Sequence, residues 1–151
     1  MVESNVSVIV VSFNTKEKLR KCLACIEPDH ETIVVDNAST DGSPEMVMEE
    51  YPHVKLIQNQ DNRGFGAANN QGLDAMTRQL ALFLNSDCYA SRGAIFRLAS
   101  MFRDKEIVAA GGRLENPDGS FQLSVADRLT LWKVFLEQSF LEIPLRQFGL
   151  G

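Results

Sequence analysis

The sequence predicts an α/β fold with three layers, in which helices cover both faces of a mainly parallel sheet. Segments with strand patterns and segments with helix patterns alternate four times along the chain, with short connections between them. This alternation is typical of strand–helix–strand units with right-handed crossovers. Residues 80–84 form an uninterrupted apolar run, which predicts a strand buried on both faces of such a sheet.

The composition is that of one ordinary globular domain. The chain has 151 residues, 44% of them hydrophobic and 23% charged, which is enough for one core but too little for two. The net charge of −5 argues against a nucleic-acid partner. No apolar run approaches the ~20 residues of a membrane-spanning helix. The three cysteines form no disulfide framework, so we expect a cytoplasmic protein.

Five segments predict strands because they are rich in β-branched or other apolar residues. In chain order they are 6–13, 33–36, 54–57, 80–87 and 107–110. The second ends on the carboxylate of Asp36, and the fourth runs into the sequence Asn85-Ser-Asp87.

Four segments between these strands predict helices. Asn14 and Glu17 have the spacing of a capping box at the start of the first helix, which runs to about residue 25. Ser43 is expected to cap the second helix, ahead of a proline in its first turn. The third and fourth helices are predicted at about 67–78 and 93–102.

The pattern changes after residue 112. An Asn-Pro-Asp-Gly turn at 116–119 precedes residues 121–125, which predict a short hairpin arm. Residues 129–143 have helical spacing and predict one apolar stripe, made of Leu129, Trp132, Leu136, Phe140 and Ile143. This stripe would dock on the domain's own core, or it would contact a partner chain, a membrane or a further segment.

The ends of three predicted strands carry polar groups, and the first of them also carries an aromatic ring. The residues are Ser12, Phe13 and Asn14 at the end of the first strand, Asp36 and Asn37 at the end of the second, and Asn85 and Asp87 at the end of the fourth. In a parallel sheet these ends meet at one edge, where ligands bind. Carboxylate and amide oxygens suit Mg²⁺ or Mn²⁺, although polar residues also commonly cap strand ends. The groups together would serve a nucleoside diphosphate, with an aromatic ring for the base and a metal for the phosphates.

Five stretches in this order resemble family-2 glycosyltransferases with the GT-A fold, in particular the branch that contains rhamnosyltransferase-like bacterial enzymes. The stretches are VSVIVVSFNTKEKLRKCL, ETIVVDNASTDGS, VKLIQNQDNRGFGAANNQGL, LALFLNSDCYA and GGRLENPDGSFQLS. The resemblance covers about residues 6–124. It implies a GT-A fold truncated on its C-terminal side, with a core at 1–125 that binds a nucleotide sugar. Residues 126–151 would be part of the same domain or the start of an acceptor half.

The resemblance also implies roles for individual residues. Ser12, Phe13, Asn14, Asp36, Asn37 and Asp41 would surround the base of the donor. Arg63, Gly64 and Asn69 would lie beside the donor, and Asp87 would bind Mg²⁺ or Mn²⁺ together with the nucleotide sugar. Asn85 stands where many relatives have a second acidic residue, so metal affinity without the nucleotide should be weak.

The resemblance implies an enzyme that inverts the anomeric centre of the transferred sugar. The donor would be UDP- or dTDP-linked in preference to GDP-linked, and the acceptor a glycan or a lipid-linked sugar, in cell-envelope or polysaccharide synthesis. The protein would then work in the cytoplasm or peripherally on the inner face of the membrane, and the C-terminal helix would allow self-association. The general base lies beyond the matched stretch, so the catalytic residue is unknown.

Two other functions compete with this interpretation. The chain alone could bind a nucleotide sugar without transferring it, because the acceptor half is missing. A sugar-nucleotide pyrophosphorylase would need a glycine-rich phosphate loop after the first strand, which the sequence lacks. Gly64-Phe-Gly66 imitates a dinucleotide fingerprint, but it follows the third strand rather than the first. Cys22 and Cys25 are expected to be packed thiols, and His30 and His53 to be exposed.

Overall fold

The computed structural model of the chain describes residues 5–122, which fall into two compact units divided after residue 111. The strands are β1 (Val6–Ser12), β2 (Glu31–Asp36), β3 (Lys55–Gln58), β4 (Leu80–Asn85), β5 (Leu114–Glu115) and β6 (Phe121–Gln122). The helices are α1 (Lys16–Ala24), α2 (Ser43–Glu50), α3 (Phe65–Ala75) and α4 (Ala94–Ser100), and a 3₁₀ turn follows at Met101–Arg103.

The first unit contains a four-stranded sheet in the order β3-β2-β1-β4. Every neighbouring pair in this sheet is parallel. One core cluster joins side chains of β1 and β2 with α1, α2 and α4, and a separate cluster joins β2 with α3. Helices therefore cover both faces, and the predicted three-layer, mainly parallel α/β fold is confirmed. No helix within residues 5–122 is both long and apolar enough to cross a bilayer.

Helix α3 packs closely on the central strand because it carries a glycine at the contact. A Cβ atom built on Gly72 would lie 2.4 Å from Cγ2 of Ile9, which is far inside van der Waals contact. Ile9 and Gly72 are both buried. The absence of a side chain at this position sets the distance between α3 and the sheet.

Strand β4 lies at the edge of this sheet, and the prediction that both its faces are buried is wrong. Its residues alternate between half-buried and exposed. Leu82 and Leu84 pack against the core cluster of α1 and α4, whereas Phe83, on the opposite face, is 48% exposed. The strand also ends at Asn85, so Asp87 lies in the turn that follows it.

Residues 107–110 form no strand, so the predicted fifth strand is wrong. Val108 is 91% exposed. An Ile-Val-Ala-Ala run has the propensity for a strand, but propensity alone does not form one without a neighbouring strand to pair with.

The hairpin of the second unit follows the prediction as far as the structure describes it. Strands β5 and β6 pair antiparallel around the turn at 116–119, and Gly119 has the positive φ of 81° that the turn requires. The rest of the predicted hairpin arm, 123–125, and the predicted helix at 129–143 lie outside the described residues.

Cys22 of α1 is buried as expected, whereas Cys25, just after the helix, is only half-buried, and one histidine differs from its prediction. Cys22 is fully buried and its thiol is free; burial raises its pKa to about 12, which keeps it protonated. His30 is only 7% exposed, with Nε2 3.5 Å from a carboxylate oxygen of Glu27. The prediction that His30 is exposed is therefore wrong, because a residue just before a strand can still be covered by the neighbouring loop.

Candidate functional site

The register of the sheet brings the three polar strand ends together. Ser12 at the end of β1 is paired with Asp36 at the end of β2. On the other side of β1, Val11 is paired with Asn85 at the end of β4. The side chains predicted to form a site therefore extend from neighbouring positions at the carboxyl edge of the sheet.

A cavity of about 290 Å³ opens at this edge. It is lined by Val11, Phe13, Asn37, Asn62, Phe65, Asn85, Ser86 and Asp87. Four of these are predicted site residues: Phe13, Asn37, Asn85 and Asp87. The cavity has two exposed aromatic rings, because Phe13 is 46% and Phe65 59% exposed.

Asp36 is the most buried carboxylate of the site, at 1% exposed. Its Oδ1 accepts a hydrogen bond of 2.8 Å from the amide of Ser39. Its Oδ2 is buried and accepts no hydrogen bond from the described residues. An unsatisfied buried acceptor is costly, so Oδ2 is suited to a donor group on a ligand. Asp36 does not itself line the cavity, but the adjacent Asn37 does.

A network of side-chain amides holds the loop after β3 against the end of β2. The amide nitrogen of Asn37 donates to the carbonyl of Gly64 at 3.3 Å. The amide nitrogen of Asn59 donates to Oδ1 of Asn37 at 2.9 Å, and Asn59 and Gln71 exchange two hydrogen bonds of 2.8 Å. Gly64 itself has a φ of 78°, a conformation that glycine adopts without strain. The network thus fixes the loop that carries the lining residue Asn62.

Asn14 does not cap a helix, and this prediction is wrong. Asn14 has a φ of 52°. Its side-chain Oδ1 accepts a hydrogen bond from the backbone N–H of Thr40 at 2.8 Å, and its backbone N–H donates to Oγ of Ser39 at 2.9 Å. Asn14 therefore ties the loop after β1 to the polar turn after β2. Sequence spacing could not show this, because the contact joins residues 26 positions apart.

Asp41 performs the capping that was predicted for Asn14 and Ser43. Its carboxylate accepts the amide of Lys16 at 2.8 Å and the amide of Ser43 at 3.0 Å. These are the first residues of α1 and α2. Burial raises the pKa of the Asp41 carboxyl, but the hydrogen bonds from Ser43 and from the two amides lower it by more, so the net shift is downward.

A chain of hydroxyl groups supports the turn that carries Asp87. Ser12 Oγ lies 3.0 Å from Thr15 Oγ1, which donates to Ser86 Oγ at 3.1 Å. Ser12 and Ser86 are buried. Ser12 is therefore not among the residues that line the cavity.

Arg63 and Asn69 are not brought to the cavity wall. Arg63 is 51% exposed, and its Nε lies 3.5 Å from a carboxylate oxygen of Asp61. Asn69 is 9% exposed, and its amide nitrogen donates within α3 to the carbonyl of Phe65 at 3.0 Å.

Asp87 lies at the open side of the cavity, with its side chain 54% exposed. Nζ of Lys18 lies 3.6 Å from its Oδ2. Among residues 5–122 there is no cluster of three or more His, Cys, Asp or Glu side chains that could hold a metal ion. Mg²⁺ is nevertheless often bound by one or two carboxylates together with substrate phosphates and water. One carboxylate beside the Asn85 amide fits that kind of site.

Comparison with known proteins agrees with these features. The sequence profile of "Glycosyl transferase family 2" matches residues 7–148. Glycosyltransferase AglE of Haloferax volcanii is 28% identical over 119 residues, which are 73% of this chain and 39% of the relative. N-acetylglucosaminyl-diphospho-decaprenol L-rhamnosyltransferase of Mycobacterium tuberculosis is 26% identical over 129 residues, covering 75% of this chain and 42% of the relative.

Solved structures give the same result. The mannosyltransferase PcManGT from Pyrobaculum calidifontis, in complex with GDP-Man and Mn²⁺, aligns with a TM-score of 0.60 and 26% identity, covering 66% of this chain and 32% of that one. S. aureus TarS 1-349 in complex with UDP-GlcNAc aligns with a TM-score of 0.58 and 28% identity, covering 66% and 31%. The chain therefore spans less than half the length of these relatives. The predicted GT-A fold is confirmed, and the chain belongs to glycosyl transferase family 2.

Proposed function

We propose that the chain is the donor-binding part of an inverting glycosyltransferase. The whole enzyme would move a sugar from a nucleoside diphosphate to an acceptor hydroxyl of a glycan or lipid-linked sugar, in cell-envelope or polysaccharide synthesis. The reaction would take place in the cytoplasm or at the inner face of the membrane. The observation that carries the proposal is the convergence of Phe13, Asn37, Asn85 and Asp87 on one cavity in a chain of this family.

The base of the nucleotide would bind at the Phe13 side of the cavity. The exposed ring of Phe13 offers a stacking surface, and the unsatisfied Oδ2 of Asp36, buried next to the lining residue Asn37, would accept a base N–H group that enters behind the cavity wall. Uracil and thymine each carry one such N–H group, which supports a UDP- or dTDP-linked donor. Relatives of solved structure hold GDP-Man and UDP-GlcNAc, so a comparison of UDP with GDP tests the identity of the base.

The transfer would be a direct displacement at the anomeric carbon. The acceptor oxygen forms the new bond, while the bond from that carbon to the diphosphate breaks and the diphosphate leaves with the electron pair. The acceptor proton passes to a general base, which we place outside residues 6–124, the stretch whose motifs resemble the family. A divalent cation at Asp87 would stabilise the negative charge of the leaving group, and the backbone around Ser86 would hold that carboxylate at the cavity.

A second candidate is a module that binds the nucleotide sugar without transferring it. The observation that favours it is the lining of the cavity, whose one carboxylate among the described residues, Asp87, is assigned to the metal, so that none is left there to act as a general base. Calorimetry and a transfer assay on the same preparation separate the two: binding without turnover indicates the module, and turnover indicates a transferase.

Asp87→Ala tests the metal assignment. We expect this substitution to remove the Mn²⁺-dependent part of UDP or dTDP binding, weakening it by about tenfold or more, as measured by calorimetry with and without MnCl₂. Asp74→Ala removes an exposed carboxylate from α3 and serves as the matched control. If Asp87→Ala binds nucleotide with Mn²⁺ as tightly as the parent, the metal does not bind at Asp87.

A further inference from the structure

The ion pair between Lys18 and Asp87 has a consequence for how metal reaches the site. Lys18 lies on α1, and its Nζ is 3.6 Å from Oδ2 of Asp87. Both side chains are more than half exposed, at 60% and 54%. The ammonium group therefore occupies space near the carboxylate that a metal ion would use.

The charge of Lys18 affects metal binding because the cavity wall, within the described residues, carries one carboxylate. The site has one carboxylate, with the neutral amide of Asn85 beside it on the cavity wall. Since Lys18 neutralises that carboxylate, a divalent cation that arrives alone meets a nearly neutral pair. Like charges repel, so the ammonium group opposes the bare cation. A nucleoside diphosphate has the opposite sign and attracts the same ammonium group.

The structure allows Lys18 to change partners without a change in the fold. The flexible side chain of lysine can move its ammonium group over several ångströms while its backbone stays in place. The start of α1 is fixed to the Asp87 turn, because Thr15 donates to Ser86. An exposed ion pair of this kind is weak enough to exchange readily.

We propose that Lys18 is a counter-cation that pairs with Asp87 in the absence of donor and turns to the diphosphate when donor and metal bind. Lys18 then determines the order of binding, because Asp87 accepts the metal together with the nucleotide rather than before it. This inference rests on the proposed function, since it takes Asp87 as the metal ligand.

Two measurements on the full chain should move in opposite directions in Lys18→Met. The affinity for MnCl₂ alone, followed by electron paramagnetic resonance of free Mn²⁺, should rise about three- to fivefold, the size expected for the loss of an exposed ion pair. The affinity for UDP in the presence of EDTA, followed by calorimetry, should fall by about the same factor. Lys18→Arg keeps the charge and should restore both values towards those of the parent.

Lys21→Met is the matched control, because Lys21 is an exposed lysine of the same helix, in its last turn. It should change neither affinity. The inference is overturned if Lys18→Met behaves like Lys21→Met in both measurements. It is also overturned if the gain in Mn²⁺ affinity persists when Lys18→Met is combined with Asp87→Asn, since the gain would then arise at another site.

The metal assignment at Asp87 and the role of Lys18 can be rejected separately. If Asp87→Ala keeps Mn²⁺-dependent nucleotide binding, the metal assignment is wrong. If that variant loses it and Lys18→Met still matches the control, the assignment stands and the role of Lys18 is wrong. If UDP does not bind the parent, the proposed donor is wrong. The Mn²⁺ affinity of Lys18→Met still decides whether Lys18 opposes metal binding at Asp87, because that measurement needs no nucleotide.

Discussion

At the scale of single residues, Asp41 joins the loop after β1 to the polar turn after β2. It accepts the first amide of α1 and the first amide of α2. Helix N-termini carry amides without partners inside the helix and a partial positive charge. A negative side chain shared by two such ends therefore stabilises both helices and the polar turn between β2 and α2.

We expect Asp41→Ala to destabilise the fold by about 1 kcal/mol at pH 7, the usual cost of losing a helix cap. The pKa of Asp41 is lowered in the folded state from its ordinary value of 3.8. The charged form therefore stabilises the fold above the ordinary pKa, and this contribution is lost as the pH falls through the lower, folded-state pKa. Urea unfolding at pH 7 and at pH 3 should show a difference between parent and variant that shrinks at pH 3. A difference of equal size at both pH values would contradict a role for the charge.

The individual site residues could be predicted from sequence only where the strand ends determine them. Phe13, Asn37, Asn85 and Asp87 lie at or just after strand ends, so the parallel register brings them together. Phe65 and Asn62 also line the cavity, but they reach it through a loop held by amide contacts between distant positions. No periodic pattern in the sequence encodes those contacts. The local signal for Phe65 as a lining residue was its position directly after Gly64, at the start of α3.

At the scale of elements, the packing of α3 on β1 reverses the usual effect of a glycine in a helix. Glycine in a helix interior normally costs about 1 kcal/mol relative to alanine. At Gly72, however, an added Cβ would lie 2.4 Å from Ile9, so helix and strand would have to separate. We expect Gly72→Ala to destabilise the fold by about 1–3 kcal/mol, as overpacking does.

Gly66→Ala is the control within the same helix. A Cβ at Gly66 would meet nothing within 4 Å, so this substitution should leave stability unchanged or raise it by up to about 1 kcal/mol. Urea unfolding of both variants measures the contrast. If the two substitutions shift the unfolding midpoint in the same direction, the close contact between α3 and β1 does not govern stability.

The elements themselves could be predicted well where local pattern and tertiary context agree. Strands β1 and β2 are buried and β-branched, and both appear where expected. β4 has an equally apolar sequence but lies at the sheet edge, since a pattern of apolar residues does not reveal how many neighbours a strand has. For the same reason residues 107–110 have the composition of a strand without the pairing that would make them one.

At the scale of the whole molecule, the candidate site lies within the first unit. Every residue that lines the cavity belongs to the first unit, and the central strand β1 connects the ends of β2 and β4. A ligand that binds this edge would therefore stabilise the folded unit as a whole. Binding to the folded state raises the free energy of unfolding by mass action, by about 2.7 kcal/mol at a ligand concentration 100 times Kd.

A panel of nucleoside diphosphates tests the donor proposal at this scale. We expect UDP or dTDP with MnCl₂ to raise the melting temperature by several degrees, since each ~1 kcal/mol shifts it by roughly 3–6 °C in a domain of this size. GDP with MnCl₂ should give a smaller shift, because Asp36 supplies one unsatisfied acceptor suited to a single base N–H group. MnCl₂ alone should give little shift, because Asp87 is one carboxylate already paired with Lys18. An equal shift with GDP would reject the pyrimidine preference, and no shift with any nucleotide would reject donor binding at this edge of the sheet.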